Sequence, residues 1–391
     1  MNAPEQIIAV LFWLSAGTIF YTYAGYPVII LILSTLFPGT KSNRNTAKCF
    51  PRVSLLIAAH NEQDVIEARI ENALASDYPA ENLEVVIASD GSTDATADIA
   101  ARYAHRGVRL IHSELRRGKA DTINAAIPRL TGDIVVLSDA NTQVDPDALR
   151  NLARWFTDPA VGVVCGRLEL TDPDTGLNAD GVYWRYETFL KRCEGRLGAL
   201  LGANGAIYAI RRRLLGPIPT GAIIDDFVIP LLAKLKTDCR IVYDDQAIAR
   251  EEAAPTIGAE FRRRARIGEG GFQAIALLWR LLDPRRGWIA LAFFSHKILR
   301  WCVPFCLLAT LLSGALLWKH PLYQTALLLQ IAFYAISLAA ALSGRKIPRG
   351  FRMGQMFVAM NAALFVGFWK WWIGNENSGV WEHVSRGSEQ N

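Results

Sequence analysis

The chain has 391 residues, 51% of them hydrophobic, and a formal net charge of +5. This composition excludes a disordered or collagen-like chain, and a charge so small, with no basic stripe, excludes nucleic acid as a partner. The length allows one large domain or two ordinary ones. Six cysteines with no Cys-x-x-Cys pair give neither a zinc site nor a disulfide framework, which fits a reducing compartment.

The first predicted element runs from Ile7 to Phe37 and is almost wholly uncharged. Glu5 precedes it, and its apolar core is too long for a signal peptide. As a helix of about 1.5 Å per residue it spans about 45 Å, enough for one tilted or kinked crossing. Pro27 is the expected kink. Tyr21, Tyr23 and Tyr26 mark either a polar interior face or an interface. Lys41, Arg44, Lys48 and Arg52 place the following side in the cytoplasm.

From Arg52 to about Ala249 strands and helices alternate. Strands are predicted at Val53–Ala59, Leu83–Ser89, Val108–His112 and Asp133–Leu137. Helices are predicted at Glu62–Ser76, Thr93–His105, Lys119–Leu130 and Asp147–Phe156. Such alternation implies an α/β fold with a mainly parallel, doubly wound sheet. The pattern then changes: a strand at Val161–Leu170, a helix over Asn178–Arg196 and a Gly-rich stretch. A strand at Ala206–Ile210, a short helix from Asp226 and a strand at Arg240–Ala249 complete it. This second half is expected on the acceptor side of the same domain.

Glu260–Leu282 reads as amphipathic, with Arg262, Arg263, Arg264 and Arg266 opposite large apolar residues, a pattern suited to a membrane interface. Trp288–Arg300 continues it. Cys302–Trp318, Tyr323–Leu342 and about Met353–Ile373 are apolar enough to cross, and Arg345, Lys346, Arg349 and Arg352 favour a cytoplasmic loop before the last. Asn361 and Lys370 leave that last crossing open. The predicted organisation is an anchor over 1–40, a catalytic domain over 41–271, interfacial helices over 272–300 and a membrane region over 301–391.

Four turns are expected to converge at one sheet edge, where open α/β sheets bind ligands. They are Ala58-Ala59-His60-Asn61-Glu62, Ser89-Asp90-Gly91-Ser92-Thr93-Asp94, Gly118-Lys119 and Ser138-Asp139-Ala140-Asn141. Asp90 can accept from a base or ribose donor. The helix opening at Gly118 offers N–H groups, and Lys119 a point charge, to phosphate. Asp139 at a strand end, with Asn141 two residues on, can hold a hard divalent cation against a diphosphate. His60, His112 and His296 are isolated and read as ordinary polar residues.

Together these turns resemble the inverting family 2 glycosyltransferases of GT-A fold, as in bacterial polysaccharide synthases, over about Arg52–Gly271. The resemblance implies that Asp90 contacts the nucleotide base. It puts Asp139 and Asn141 in the Asp-x-Asp position that binds Mg2+ or Mn2+, with Asn141 lacking the second charge. Ala59, Asn61, Glu62, Lys119 and Ser138 join them as substrate contacts. Leu201–Arg212, with Asn204 and Gly205, looks like the family's acceptor-loop segment. Asp225-Asp226 matches its Glu-Asp motif, Asp226 in the place of the catalytic base and Asp225 beside it. Processive members carry Gln-x-x-Arg-Trp where Arg263-Arg264-Ala265-Arg266-Ile267 stands here. Arg263 and Arg266 keep charge for the diphosphate, with lipid headgroups as the competing reading. The missing Trp counts against a long-chain synthase with its own channel.

The expected function is transfer of a sugar, with inversion, from a UDP-sugar to a lipid-linked or polysaccharide acceptor. The expected setting is a multi-pass protein of the bacterial inner membrane, its catalytic domain cytoplasmic, which leaves room for partners in a polysaccharide synthesis and export system. Transfer to a polyprenyl phosphate, and a nucleotide-sensing membrane binding protein, are the alternatives.

Overall fold

A computed structural model describes residues 1–37, 50–171, 181–253, 257–342 and 349–374. Lys41, Arg44, Lys48, Arg345 and Lys346, on which the predicted sidedness partly rests, lie outside the described residues. The chain forms two compact units. Among the described residues, one comprises 1–30, 257–275 and 293–374, and the other 31–253 and 276–292.

The larger unit is built on an eight-stranded sheet. Its strands are β1 (Val53–Ala59), β2 (Leu83–Asp90), β3 (Val108–Ser113), β4 (Ile134–Asp139), β5 (Gln143–Val144), β6 (Val161–Thr171), β7 (Tyr208–Arg211) and β8 (Arg240–Glu252). The order across the sheet is β3-β2-β1-β4-β7-β6-β8-β5. All seven residues of β1 are buried, as expected for a strand covered on both faces. Helices follow β1, β2 and β3, so the first four strands run parallel. The chain order reverses between β1 and β4, the kind of switch point where α/β sheets open a crevice. The sheet is mainly parallel as expected, with β6 parallel to β8, but its second half adds antiparallel strands. Strand β7 runs antiparallel to both β4 and β6, and β5 runs antiparallel to β8, which makes the sheet mixed.

Most predicted helices are present but shorter. The first begins at Ile66, because Asn61, Glu62 and Gln63 give their backbone N–H groups to Ser92, Thr96 and Asp94 instead. Several helices end in single 3₁₀ turns, as Ile127–Arg129 does after Lys119–Ala126. The helix at the Asp-Asp pair is longer than expected, Asp225–Thr237.

Among the described residues, four helices, lying mostly in the smaller unit, are long and apolar enough to cross a membrane: Ala3–Leu36, Trp288–Leu316, Pro321–Ala341 and Gly350–Ile373. Pro27 expresses itself as a π-turn over Tyr21–Gly25. A proline lacks the N–H and crowds the carbonyl four residues back, and the wider turn accommodates both. The three tyrosines there face protein. The Tyr21 hydroxyl lies 2.8 Å from Ser295 Oγ, Tyr26 stacks on His296, and Asn361 Nδ2 lies 3.4 Å from the Tyr23 hydroxyl. No helix end separates the predicted interfacial stretch from the next crossing, because Trp288–Leu316 is helical throughout.

The Arg-rich helix, Ile257–Leu278, is packed inside this unit on one side. Arg264 is buried and donates to Glu260 at 2.6 Å. Gly268 sits against Leu364, and Gly271 against the ring of Trp301. A Cβ on Gly367 would fall 2.6 Å from the Glu269 nitrogen and nearer still to the Ala265 carbonyl oxygen. Gly367→Val is therefore expected to lower stability by about 1–3 kcal/mol, the usual cost of overpacking. Thermal unfolding in detergent checks this.

Candidate active site

Register places the acidic strand ends side by side. Ala59 of β1 is level with Ser89 of β2, and Ala58 with Asp139 of β4. Asp90 and Asp139 therefore emerge one strand apart on either side of β1.

On the β2 side the first two turns interlock. The Asn61 side chain accepts from the Thr93 N–H at 2.8 Å, with Asn61 itself in the left-handed region at φ 53°. His60 Nδ1 donates to the Asp90 carbonyl at 2.6 Å. Asp90 is fully buried, and its carboxylate accepts from the backbone N–H groups of Arg117 (2.7 Å) and Gly118 (2.8 Å). The sequence suggested a ligand contact for this side chain. In the fold it fixes the loop that starts the Lys119 helix. Gly91 serves the same loop: its φ is 58°, and a Cβ would lie 2.5 Å from the Arg116 nitrogen.

On the β4 side the polar groups converge. Lys119 Nζ donates to Asp139 Oδ1 at 2.7 Å and lies 3.3 Å from Asp225 Oδ2. Burial disfavours its ammonium, but Asp139, Asp225 and Asp226 outweigh that and hold it charged far above the ordinary lysine range. Ser138 donates to the Ala206 carbonyl at 2.7 Å, which ties β4 to the Gly-rich segment. That segment wraps the start of the Asp225–Thr237 helix. The Ala203 N–H donates to the Asp226 carbonyl at 2.9 Å, and the Gly205 N–H to Asp226 Oδ2 at 3.0 Å. A Cβ on Gly205 would lie 3.0 Å from Asp139 Oδ2 and 3.8 Å from Asp226 Oδ2. A side chain there would crowd the Asp139 carboxylate and only touch that of Asp226.

The two adjacent aspartates have different surroundings. Asp225 is buried, and Asp226 is half-buried. Burial pushes the Asp225 carboxyl up to about 6. Lys119 works against that shift, while Asp226 and Asp139 add to it. Relative to an unfolded chain ionising near 3.8, this group favours the folded state at low pH, and the contribution is lost as pH rises through about 6. Activity is expected to fall as pH drops below about 6, where Asp225 takes up a proton. Asp225→Asn should remove that acid limb, which a pH–rate profile of both proteins would reveal.

Two functional candidates were not singled out from the sequence. Arg69 is fully buried; its Nη2 donates to Ser138 Oγ at 3.1 Å and its Nη1 to Asn72 Oδ1 at 3.1 Å. Burial lowers its pKa to about 10 against the pull of Asp139. The signal was present: Ile66, Arg69, Ile70 and Ala73 form one helical stripe, an arginine in an apolar row. Tyr208 of β7 is buried, and its phenol is pushed well up, first by burial and then by Asp225, Asp226 and Asp139. It carried no sequence signal beyond an apolar strand.

Among the other predicted residues, Asn204 donates to the Gly166 carbonyl at 2.8 Å and accepts from Lys191. Asn141 is half-buried on the turn after Asp139. Arg263 and Arg266 belong to the other unit, on the Ile257–Leu278 helix, where Arg263 lies 4.0 Å from Glu260.

Three carboxylates against one lysine leave the cluster anionic, with hard oxygen donors, which suits a divalent cation. Among the described residues no group of three or more His, Cys, Asp or Glu is arranged as a metal site.

Residues 54–215 match the family model "Glycosyl transferase family 2". The chain carries a family 2 glycosyltransferase domain. It is similar to a poly-beta-1,6-N-acetyl-D-glucosamine synthase of Staphylococcus epidermidis, 25% identical over 57% of this chain and 55% of that one. A beta-monoglucosyldiacylglycerol synthase of Synechocystis sp. is 28% identical over 73% of this chain and 61% of the other. The matched stretch thus spans little more than half of each relative. A solved mannosyltransferase from Pyrobaculum calidifontis, in complex with GDP-Man and Mn2+, aligns with a TM-score of 0.71 at 24% identity, covering 95% of this chain and 99% of that one. At that identity the likeness speaks to the fold, which is GT-A, and this chain carries apolar helices at both ends of it.

Proposed function

We propose that this glycosyltransferase moves a sugar, with inversion, from a UDP-sugar to a lipid-linked or polysaccharide acceptor at the cytoplasmic face of a bacterial inner membrane. The observation that carries the reading is the pair of carboxylates, Asp139 and Asp226, flanking Gly205. Inversion needs an acceptor hydroxyl to attack the anomeric carbon opposite the departing diphosphate, and to lose its proton as it does so. Asp226 is the more exposed of the adjacent pair, and its Oδ2 is aimed by the Gly205 N–H, as a general base should be.

Asp225 is a positioning group in this reading, since it is buried against Lys119. Lys119 brings positive charge to the diphosphate. Asp90 shapes the nucleoside pocket through the loop amides it holds, with Ala59, Asn61 and Glu62 around it. Ser138 and Asn204 hold the walls of the cleft. A Mg2+ or Mn2+ ion held by Asp139 and the Asn141 carbonyl oxygen would neutralise the leaving diphosphate. Support from relatives is coarser: the names of the two synthases place them in polysaccharide and glycolipid synthesis.

Purified protein incubated with single nucleotide sugars and an acceptor tests the proposal. Free UDP should appear, and the anomeric proton coupling of the product should show inverted configuration. Retained configuration would reject the assignment of Asp226.

A further inference from the structure

The helix Ile66–Leu74 buries the stripe Ile66, Arg69, Ile70 and Ala73. Three of these are ordinary core residues. The fourth is a guanidinium with no exposed surface, and its Nε has no hydrogen-bond partner. A charge taken out of water is costly unless it is fully paired. A methionine of similar length would fill the space without that cost. Packing alone therefore gives no reason for an arginine at this place.

Its contacts grip the turn from Ser138 to Val144 at both ends. Arg69 Nη2 donates to Ser138 Oγ at 3.1 Å, at the end of β4. Arg69 Nη1 donates to Asn72 Oδ1 at 3.1 Å, and the same oxygen accepts from the Val144 N–H at 2.9 Å, in β5. Asn72 Nδ2 returns a bond to the Val144 carbonyl at 2.9 Å. Between the grips, Ala140 and Thr142 are buried, and Thr142 donates to Glu251 of β8 at 2.8 Å. Asp139 and Asn141 alternate with them and are half-buried. Successive strand side chains point to opposite faces, so Ser138 meets Arg69 on one side while Asp139 meets Lys119 on the other.

We propose that Arg69, together with Asn72, is a positioning residue for the divalent cation. It fixes the Ser138–Val144 turn, and so the directions in which Asp139 and Asn141 offer their oxygens. The proposal rests on the reading of Asp139 as the group that holds the cation. Arg69 touches neither donor nor acceptor in it and acts through the turn. Among the described residues no ready-made cluster of three acidic, His or Cys ligands exists. A site with so few protein ligands depends on each being held in place beforehand. Charge links the two groups as well: the attraction of Asp139 offsets part of the burial that works against the Arg69 guanidinium.

The test uses the full chain in detergent. It reads UDP affinity by calorimetric titration with and without Mn2+, alongside thermal unfolding. Arg69→Met fills the slot without charge or donor. Its thermal midpoint should equal or exceed that of the wild type, since an apolar group in place of a buried charge is often neutral or stabilising. UDP binding in Mn2+ should weaken by about 10–100-fold, the usual effect of removing a group that orients a metal ligand. UDP binding without Mn2+ should stay at the wild-type level. Asn72→Ala releases the Val144 end of the turn and should show the same split, and Arg69→Lys should recover part of the loss. In an Asp139→Asn background Arg69→Met should change UDP binding no further, because the group it acts through is gone. An unchanged Mn2+ response in Arg69→Met, or in Asn72→Ala if Arg69→Met does not fold, would overturn the proposal. So would equal losses with and without Mn2+, the mark of general loosening. Wild-type binding indifferent to Mn2+ would overturn the reading of Asp139 as well, so the two failures are told apart.

Discussion

Asp226→Asn is expected to lower the rate of sugar transfer by about 10²–10⁴-fold, the usual worth of a general base, while donor binding stays near the wild-type level. Asparagine keeps the side-chain shape, and its amide oxygen can still accept the 3.0 Å hydrogen bond from the Gly205 N–H. The Ala203 N–H bonds to the backbone carbonyl of residue 226 and is indifferent to the change. The Gly-rich wall should therefore stand, and only proton removal should be lost. Nucleotide titration and turnover, measured on the same preparation, separate the two. Turnover within about twofold of wild type would remove Asp226 from the mechanism.

Asp139→Asn should produce a different signature. Transfer is expected to fall by about 10²–10³-fold, on the scale of losing one preorganised electrostatic group in an active site. UDP binding should also weaken and lose its response to Mn2+. Asp139 is the residue that both pairs Lys119 and extends its second oxygen towards Gly205. With its charge gone, Lys119 retains Asp225 as its ion-pair partner at 3.3 Å. Calorimetric titration of UDP with and without Mn2+ gives the reading. Binding that still strengthens with Mn2+ would place the ion elsewhere. Because Asp226→Asn should spare binding and Asp139→Asn should not, the two variants divide the cluster into a proton-handling and a charge-handling half.

The parts of this site that were legible in the sequence are those set by local patterns. The apolar runs before Ala59, Asp90 and Asp139 are buried strands, and a carboxylate at the end of such a run has to emerge at a sheet edge. Gly-rich residues followed by Asp225-Asp226 form a loop and a helix start, as read. Non-local choices were less accessible. Antiparallel β7 sits between β4 and β6 because of pairings between residues far apart in the chain, such as Ile134 with Arg211 and Cys165 with Tyr208, which periodicity does not report. Strand β5, with two residues, is too short for any pattern.

Side-chain destinations were harder still. Nothing local distinguishes an Asp90 that meets a nucleoside from one that captures the amides of Arg117 and Gly118, since both need a carboxylate at a strand end. The arginine-rich helix showed its charges in sequence but not its glycines' purpose. Gly268 and Gly271 are weak helix formers, and only the fold shows Leu364 and Trp301 packed against them. Arg69 was a missed opportunity, because a charge in an apolar stripe is itself a signal of a buried polar network.

The most direct measurement is a crystal of the full chain grown with UDP and Mn2+, with anomalous scattering collected to place the ion. The expected result is a single Mn2+ peak beside Asp139, bridged to the diphosphate, with Asp226 open towards the side where an acceptor would arrive. A nucleotide bound far from Gly205, or an ion coordinated by other residues while Asp139 stays paired with Lys119 alone, would contradict it.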